Sequence, residues 1–267
     1  MGGADQIEGG RRPPLSVFVI AQDEEAHIAD CLASASFAAE LLVLDGGSRD
    51  RTPELAAAAG ARVERRPFDG MNSQKNAALA LCRQPWVLNL DADERVSPEL
   101  RREIEALFAA GEPACAGYTM PRRAWHLGRW IRGGGWYPDR KLRLFRRDAG
   151  RFAGCDPHDK VVVDGPVGRL HGDLLHYAYR DLAHHEAKME TYTTAAARSA
   201  FAAGRRAPLL RMVLSPPLRF LKSYFLRAGF RDGRAGLILA WMAARYEWHR
   251  WRKLRRLRRG GQPSADC

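Results

Sequence analysis

The chain has 267 residues, 46% hydrophobic and 28% charged, the composition of a globular protein with a sizeable core rather than a disordered or fibrous one. Its five cysteines (Cys31, Cys82, Cys115, Cys155, Cys267) are scattered without a C-x-x-C pair, which argues against a disulfide framework or a structural zinc and for a reducing compartment. The opening run MGGADQIEGGRRPPL has no apolar core of the signal-peptide kind, and no stretch approaches the ~20 apolar residues of a membrane span, so secretion and transmembrane anchoring are set aside. Formal net charge is +12, from 43 Lys and Arg against 31 Asp and Glu. Residues 205–259 hold 16 of the basic residues and two acids, Asp232 and Glu247, which leaves the rest of the chain at −2. A near-neutral globule with so basic a C-terminal segment predicts a partner of negative charge.

In chain order, LSVFVIA (15–21) is a short β-branched apolar run, the pattern of a buried strand. DEEAHIADCLASAS follows with helical spacing and acids in its first turn. LLVLD (41–45) is a second strand ending in an acid, GGSRD is a loop, and RTPELAAAAGA is a helix with Pro53 near its start. ARVERR is a third strand, NSQKNAALALCR a helix, and PWVLNLDAD (85–93) a fourth strand closing on carboxylates. This alternation predicts a mostly parallel α/β sheet, in which ligands bind beyond the carboxyl ends of the strands. Asp45 and Asp91 both stand at such ends, so both should face one cleft. From about residue 115 the pattern loosens into Gly, Trp, Arg and His with short strand-like runs, KLRLF and KVVV among them, and helical spacing returns over 181–203.

The chemistry-bearing signal is Asp91-Ala92-Asp93 at a strand end. Two carboxylates at i and i+2 with a small residue between can meet one hard divalent cation, Mg2+ or Mn2+, which also binds nucleotide phosphates. A solvated acidic turn is the competing reading of D-x-D alone. Asp45, followed by two glycines and Ser48 where backbone can approach a ligand, favours the site. Neither G-x-x-x-x-G-K-[ST] nor G-x-G-x-x-G is present, and no nucleophile elbow or H-E-x-x-H occurs.

Taken together, VFVIAQDEEAHIADCL, LLVLDGGSRDRT, GMNSQKNAAL and WVLNLDADE resemble the nucleotide-sugar half of the inverting family-2 glycosyltransferases, with Asp23 standing where that family usually has Asn. The second half, YPDRKLRLFRRDAGRFAGCDPHDKVVVDGPVGRL, then LLHYAY, HHEAKMETYTTAAARSA and LRAGFRDGRAG, is similar to the lipopolysaccharide-core glucosyltransferase branch. The resemblance implies a GT-A-like α/β fold with a metal held by Asp91 and Asp93. It also implies a nucleotide-sugar site of Glu24, Asp45, Lys75 and Asp91, and a catalytic base at Asp159 after His158. That branch more often has Glu at the base position. For Lys75 two readings stand, a charge near the nucleotide or a helix face.

The histidines His171, His176, His184 and His185 fit no metal template and read as structural or surface groups, His176 being the one best placed to line the cleft. Trp125, Trp130 and Trp136 lie among arginines, where they suit either acceptor binding or core packing. The basic segment interleaves Leu, Phe and Trp with arginines, as in amphipathic helices lying on an anionic leaflet, with Pro216-Pro217 expected to break them. No recognised nucleic-acid module accompanies it, so no nucleic-acid partner is expected.

The sequence thus predicts a catalytic domain over 1–204 and a basic amphipathic extension over 205–267. The expected activity is a metal-dependent transfer of a hexose, glucose from UDP-glucose, to a heptose of the lipopolysaccharide inner core. Its partners would be the UDP-sugar, a lipid-linked glycan acceptor and an anionic membrane surface, at the cytoplasmic face of the bacterial inner membrane. The alternatives are the same fold acting on polyprenyl phosphate or another glycan, and a non-catalytic basic binder of nucleic acid or membranes.

Overall fold

The structure is a computed structural model that describes residues 12–154 and 160–260. Two compact units divide the chain, one made of Met1–Arg122 with Arg140–His176, the other of Arg123–Asp139 with Tyr177–Cys267.

The first unit opens with β1 (Leu15–Ala21), α1 (Ile28–Ser34), β2 (Glu40–Asp45), α2 (Thr52–Ala58), β3 (Arg62–Arg65), α3 (Met71–Leu81) and β4 (Trp86–Asp91), the alternation predicted from the sequence. After β4 the chain continues through β5 (Glu94–Val96), α4 (Pro98–Ala109), β6 (Gly117–His126), β7 (Arg129–Trp130), β8 (Asp139–Arg146), β9 (Gly150–Ala153), β10 (Lys160–Val163), β11 (Val167–Arg169) and β12 (Leu174–His176), of which β7 and the end of β6 fall in the second unit. The main sheet runs β3-β2-β1-β4-β8-β6-β12-β5, while β9 and β10 form a separate antiparallel ribbon. Pairing is parallel from β3 to β4 and turns antiparallel where β8 meets β4, so the sheet is mixed.

β1 sits between β2 and β4 and is buried on both faces, which is why its sequence is a continuous apolar run rather than an alternating one. Val17 and Val19 join the core under α1, α2 and α4, whereas Phe18 points to the opposite core with Leu42, Leu44, Val87 and the α3 residues Ala78 and Leu79. Ser97 caps α4 by accepting from Leu100 N, and Pro98 follows at the first helical position, where its missing N–H costs nothing. The register brings the strand ends level, with Ala21 opposite Asp45 and Ile20 opposite Asp91. Both predicted strand-end acids therefore stand at the same carboxyl edge.

The second unit is built on α5 (Leu182–Ala202), α6 (Leu209–Leu221), a π-helical turn over Lys222–Leu226, a short 3-10 turn over Gly229–Asp232 and α7 (Gly233–Arg258). Both α5 and α6 pack against α7. Asp232 is buried and accepts from the backbone N–H groups of Arg132 and Gly133, so the loop after β7 is tied to the start of α7. Gly133 is required there, since a Cβ would come within 2.3 Å of the Ala228 carbonyl oxygen. Trp125 and Trp130 pack edge to face at 5.0 Å, and Trp136 stacks on His126, which gives these aromatics core partners. Contrary to expectation, Pro216 and Pro217 lie inside α6 rather than ending it. The helix runs through them without the two N–H groups that would have bonded to the preceding turn, and the wider π turn follows it.

Candidate active site

At the carboxyl edge of the first unit's sheet, two loops are stitched together by side-chain to backbone bonds. Asp23 accepts from Arg49 N at 2.8 Å and its own N–H donates to Ser48 Oγ at 3.0 Å. Glu25 N donates to Asp50, and Arg51 N returns a bond to Glu25. Asp23 has φ 56°, a left-handed conformation that Asp and Asn tolerate better than other non-glycine residues. This accounts for Asp in a place where Asn would serve: both fit the backbone angle and both offer an oxygen to Arg49 N.

Glu24 lies in the first of these loops. Its N–H donates to Thr52 Oγ1 and its carbonyl accepts from His27 and Ile28, so its backbone starts α1. Asp45 is fully buried, and its carboxylate accepts from Gly47 N and Ser48 N. It therefore shapes the glycine loop that follows it, with Arg65 3.8 Å away.

Lys75 resolves to neither of its two readings in simple form. It is buried on the inner side of α3, its Nζ 3.3 Å from Asp91 Oδ1 and 5.7 Å from the Phe152 ring centre. Neighbouring Asn76 grips the Phe152 backbone through both its amide atoms, each at 2.9 Å, and Asn72 Nδ2 donates to the Gly154 carbonyl. The polar residues of this helix thus fasten the β9 strand.

Asp91, itself partly exposed, joins an ionic cluster whose other members Lys75, Arg143 and Glu94 are buried. Its Oδ2 accepts from Arg143, whose other nitrogen donates to Asn89 Oδ1 at 2.7 Å. Arg143 also donates to the fully buried Glu94, which takes a second cation from Arg122 at 3.3 Å. Burial by itself would raise the Asp91 carboxyl, but Arg143 and then Lys75 reverse this and hold it well below the usual carboxylate range. Burial likewise opposes the charge on Arg143, and Asp91 with Glu94 restores it. Sequence reasoning does not single out Arg143 or Glu94, and it reads Arg122 with the arginines around Trp125 and Trp130 as an acceptor contact, whereas here Arg122 pairs with Glu94. A usable signal existed in the D-A-D-E run and in the polar 141 and 143 positions alternating with Leu142 and Leu144 on β8.

Asp93 Oδ2 lies 3.4 Å from His176 Nε2, because β12 pairs antiparallel with β5 and sets His176 opposite Glu94. Both side chains are only partly buried. Among the described residues, no three His, Cys, Asp or Glu side chains converge as a ready-made metal cage. An Asp oxygen and a His nitrogen this close form a donor pair that would suit a divalent cation. Asp91, the other acid expected at the metal, has an oxygen on each of two cations, Lys75 and Arg143. Asp159, expected as the base, lies outside the described residues.

The family model of glycosyl transferase family 2 matches residues 16–164, the span that carries these loops and both acid groups. The chain belongs to that family. It is 34% identical over 245 residues to the lipopolysaccharide core biosynthesis glycosyltransferase LpsC of Rhizobium meliloti, with 87% of this chain and 88% of that protein covered. An uncharacterized glycosyltransferase of Rickettsia typhi is 30% identical, covering 91% of this chain and 87% of its own. Among solved structures, glucosyl-3-phosphoglycerate synthase from Mycobacterium tuberculosis, in complex with Mn2+, UDP and glucosyl-3-phosphoglycerate, matches 73% of this chain and 81% of its own at 18% identity and TM-score 0.45. As a family-2 glycosyltransferase the protein is an enzyme, and its α/β sheet flanked by helices is the architecture expected from the sequence.

Proposed function

We propose that this family-2 glycosyltransferase is an inverting, metal-dependent hexosyltransferase that moves glucose from UDP-glucose to a heptose of the lipopolysaccharide inner core. The observation that carries the reading is the Asp93–His176 pair just beyond the carboxyl end of β4, on the edge of the sheet where Asp45 ends β2. Similarity to LpsC over most of both chains supports the lipopolysaccharide-core acceptor. The acceptor is borne on a lipid, which fits action at the cytoplasmic face of the inner membrane against an anionic surface. Among the described residues no helix is long and apolar enough to cross a membrane.

In the transfer, an acceptor hydroxyl oxygen forms a bond to the anomeric carbon from the face opposite the leaving group. The bond from that carbon to the diphosphate oxygen breaks with its electron pair, and the hydroxyl proton passes to a carboxylate, the role proposed for Asp159. Asp93 and His176 would hold Mg2+ or Mn2+, which when bound neutralises charge on the departing UDP. Asp45 with Glu24 would seat the nucleoside by fixing the two loops. Lys75 and Arg143 would keep Asp91 ionised and oriented at the rim. The deciding experiment is a screen of nucleotide sugars against purified truncated lipopolysaccharides, with product linkage read by NMR. Transfer of glucose to a heptose-terminated acceptor is expected, whereas transfer solely to polyprenyl phosphate would replace the acceptor and keep the chemistry.

A further inference from the structure

Helix α6 is amphipathic in the wrong sense for a helix that only packs on its neighbours. Leu210, Val213, Leu214, Pro217, Leu218 and Leu221 recur at three- and four-residue spacing and form one continuous stripe, and all six are exposed. Leu210 is 69% exposed and Leu218 61%. The inward side, toward α7, carries Met212, Ser215, Arg219 and Phe220. The apolar surface continues past the helix into Phe225 and Leu226, the latter 83% exposed. An unbroken apolar stripe facing water marks a surface that is covered in use.

What covers it is constrained by charge. From Arg205 to Arg231 the sequence has seven basic residues and no acid. Beside the N-terminal end of α6 an open groove of about 520 Å³ is lined by Leu209, Met212, Arg252, Arg255, Arg256 and Arg259, so four guanidinium groups border an apolar floor with no carboxylate among them. A second copy of this chain would bring like charge against like. Nucleic acid would satisfy the arginines but leave the aliphatic stripe uncovered, since the stripe has no aromatic face on which bases could stack. A leaflet of anionic phospholipid satisfies both, taking the stripe into its acyl boundary and its phosphates to the arginines.

We infer that α6 lies flat in an anionic bilayer surface, with its Leu210–Leu221 stripe inserted and the arginine groove holding headgroup phosphates. This deepens the proposed membrane surface by assigning the residues that bind it. Vesicle binding is read with no sugar donor present, so it and the glycosyl-transfer reading fail separately.

The test is co-sedimentation of the full chain with vesicles of phosphatidylglycerol and phosphatidylcholine, against vesicles of phosphatidylcholine alone. Tight binding to the former and weak binding to the latter is expected. Leu214→Ser with Leu218→Ser should weaken it about tenfold per leucine at any salt, from the apolar surface withdrawn. Arg255→Gln with Arg256→Gln should weaken it about fivefold per arginine at low salt and less at high salt. Because all four positions are at least partly exposed, circular dichroism and melting should match the parent, which separates lost binding from lost folding. Equal binding to neutral vesicles overturns the inference, as does unchanged binding by the serine variant. A dimer in solution that the serine variant abolishes, or preference for RNA over anionic vesicles at physiological salt, overturns it too.

Discussion

Asp93 Oδ2 and His176 Nε2 lie 3.4 Å apart, brought together by the antiparallel pairing of two three-residue strands, β5 and β12. The pair offers one hard oxygen and one imidazole nitrogen, partly buried, at the carboxyl edge where the parallel strands end. Asp91, two residues earlier, is already engaged by Lys75 and Arg143. The two acids of the D-A-D run thus have different surroundings, and they should respond differently to substitution.

Asp93→Ala and His176→Ala should each lower glycosyl transfer by about 10²–10³-fold, the scale of removing one stabiliser of developing charge. Both side chains are partly exposed and lie outside the apolar cores, so melting should shift little. Titration with Mn2+ should show weaker activation in both variants. A variant of either residue that keeps parental turnover and parental Mn2+ dependence removes the pair from the metal site.

Arg143 is a different case, because it is buried with two carboxylates. Arg143→Met should destabilise the fold by about 3 kcal/mol, since it leaves the buried Glu94 and the partly exposed Asp91 with Arg122 and Lys75 as the cations still paired to them among the described residues. The double change Arg143→Met with Glu94→Gln should recover part of that loss. Urea denaturation of the parent, both single variants and the double variant closes the cycle, and additive losses would show that the cluster is not coupled.

These two groups also show which parts of the site were legible. Strands such as β1 and β4 announce themselves because a strand buried on both faces needs an unbroken apolar run. Asp45, Asp91 and Asp93 were visible because acids at strand ends break such a run abruptly. Arg143 was not, because its partners come from antiparallel β4–β8 pairing, which nothing local to KLRLF encodes. His176 was legible as the histidine best placed to line the cleft, but its pairing with Asp93 was not, because that depends on where β12 docks. Pro216-Pro217 misled in the opposite direction: a strong local rule predicted a break, and the packing of α6 along α7 overrode it.

In the second unit, His126 Nε2 and His185 Nδ1 share a hydrogen bond of 2.9 Å among Trp136 and Tyr179. Burial, and then the neighbouring His126, push His185 down from the ordinary 6.5 to about 4. The unfolded chain therefore binds more protons than the folded one between those values. Stability should be at its full value above pH 6.5 and fall as the pH drops toward 4, by on the order of 1–3 kcal/mol. Thermal melts across this range should show the slope, and His185→Phe should flatten it, leaving the smaller contribution of His126. A slope unchanged in that variant would place the acid sensitivity elsewhere.

The last prediction concerns Asp23, which combines a left-handed backbone with two bonds that join the loops. Asp23→Asn should be close to neutral, because an amide oxygen can still accept from Arg49 N and Asn tolerates a φ near 56°. Asp23→Val fails on both counts, since a β-branched residue is strained there and no acceptor remains for Arg49 N. It should cost about 1–2 kcal/mol, a sum kept modest because the bonds are exposed to water. Asp23→Gly separates the terms: it relieves the backbone strain and still loses the acceptor, so it should fall between the other two. Urea denaturation gives the stability order Asn, Gly, Val. UDP-glucose affinity measured by calorimetry should follow the same order if the stitched loops seat the nucleoside. An affinity that is equal in all three variants would detach these loops from nucleotide binding, whatever their effect on stability.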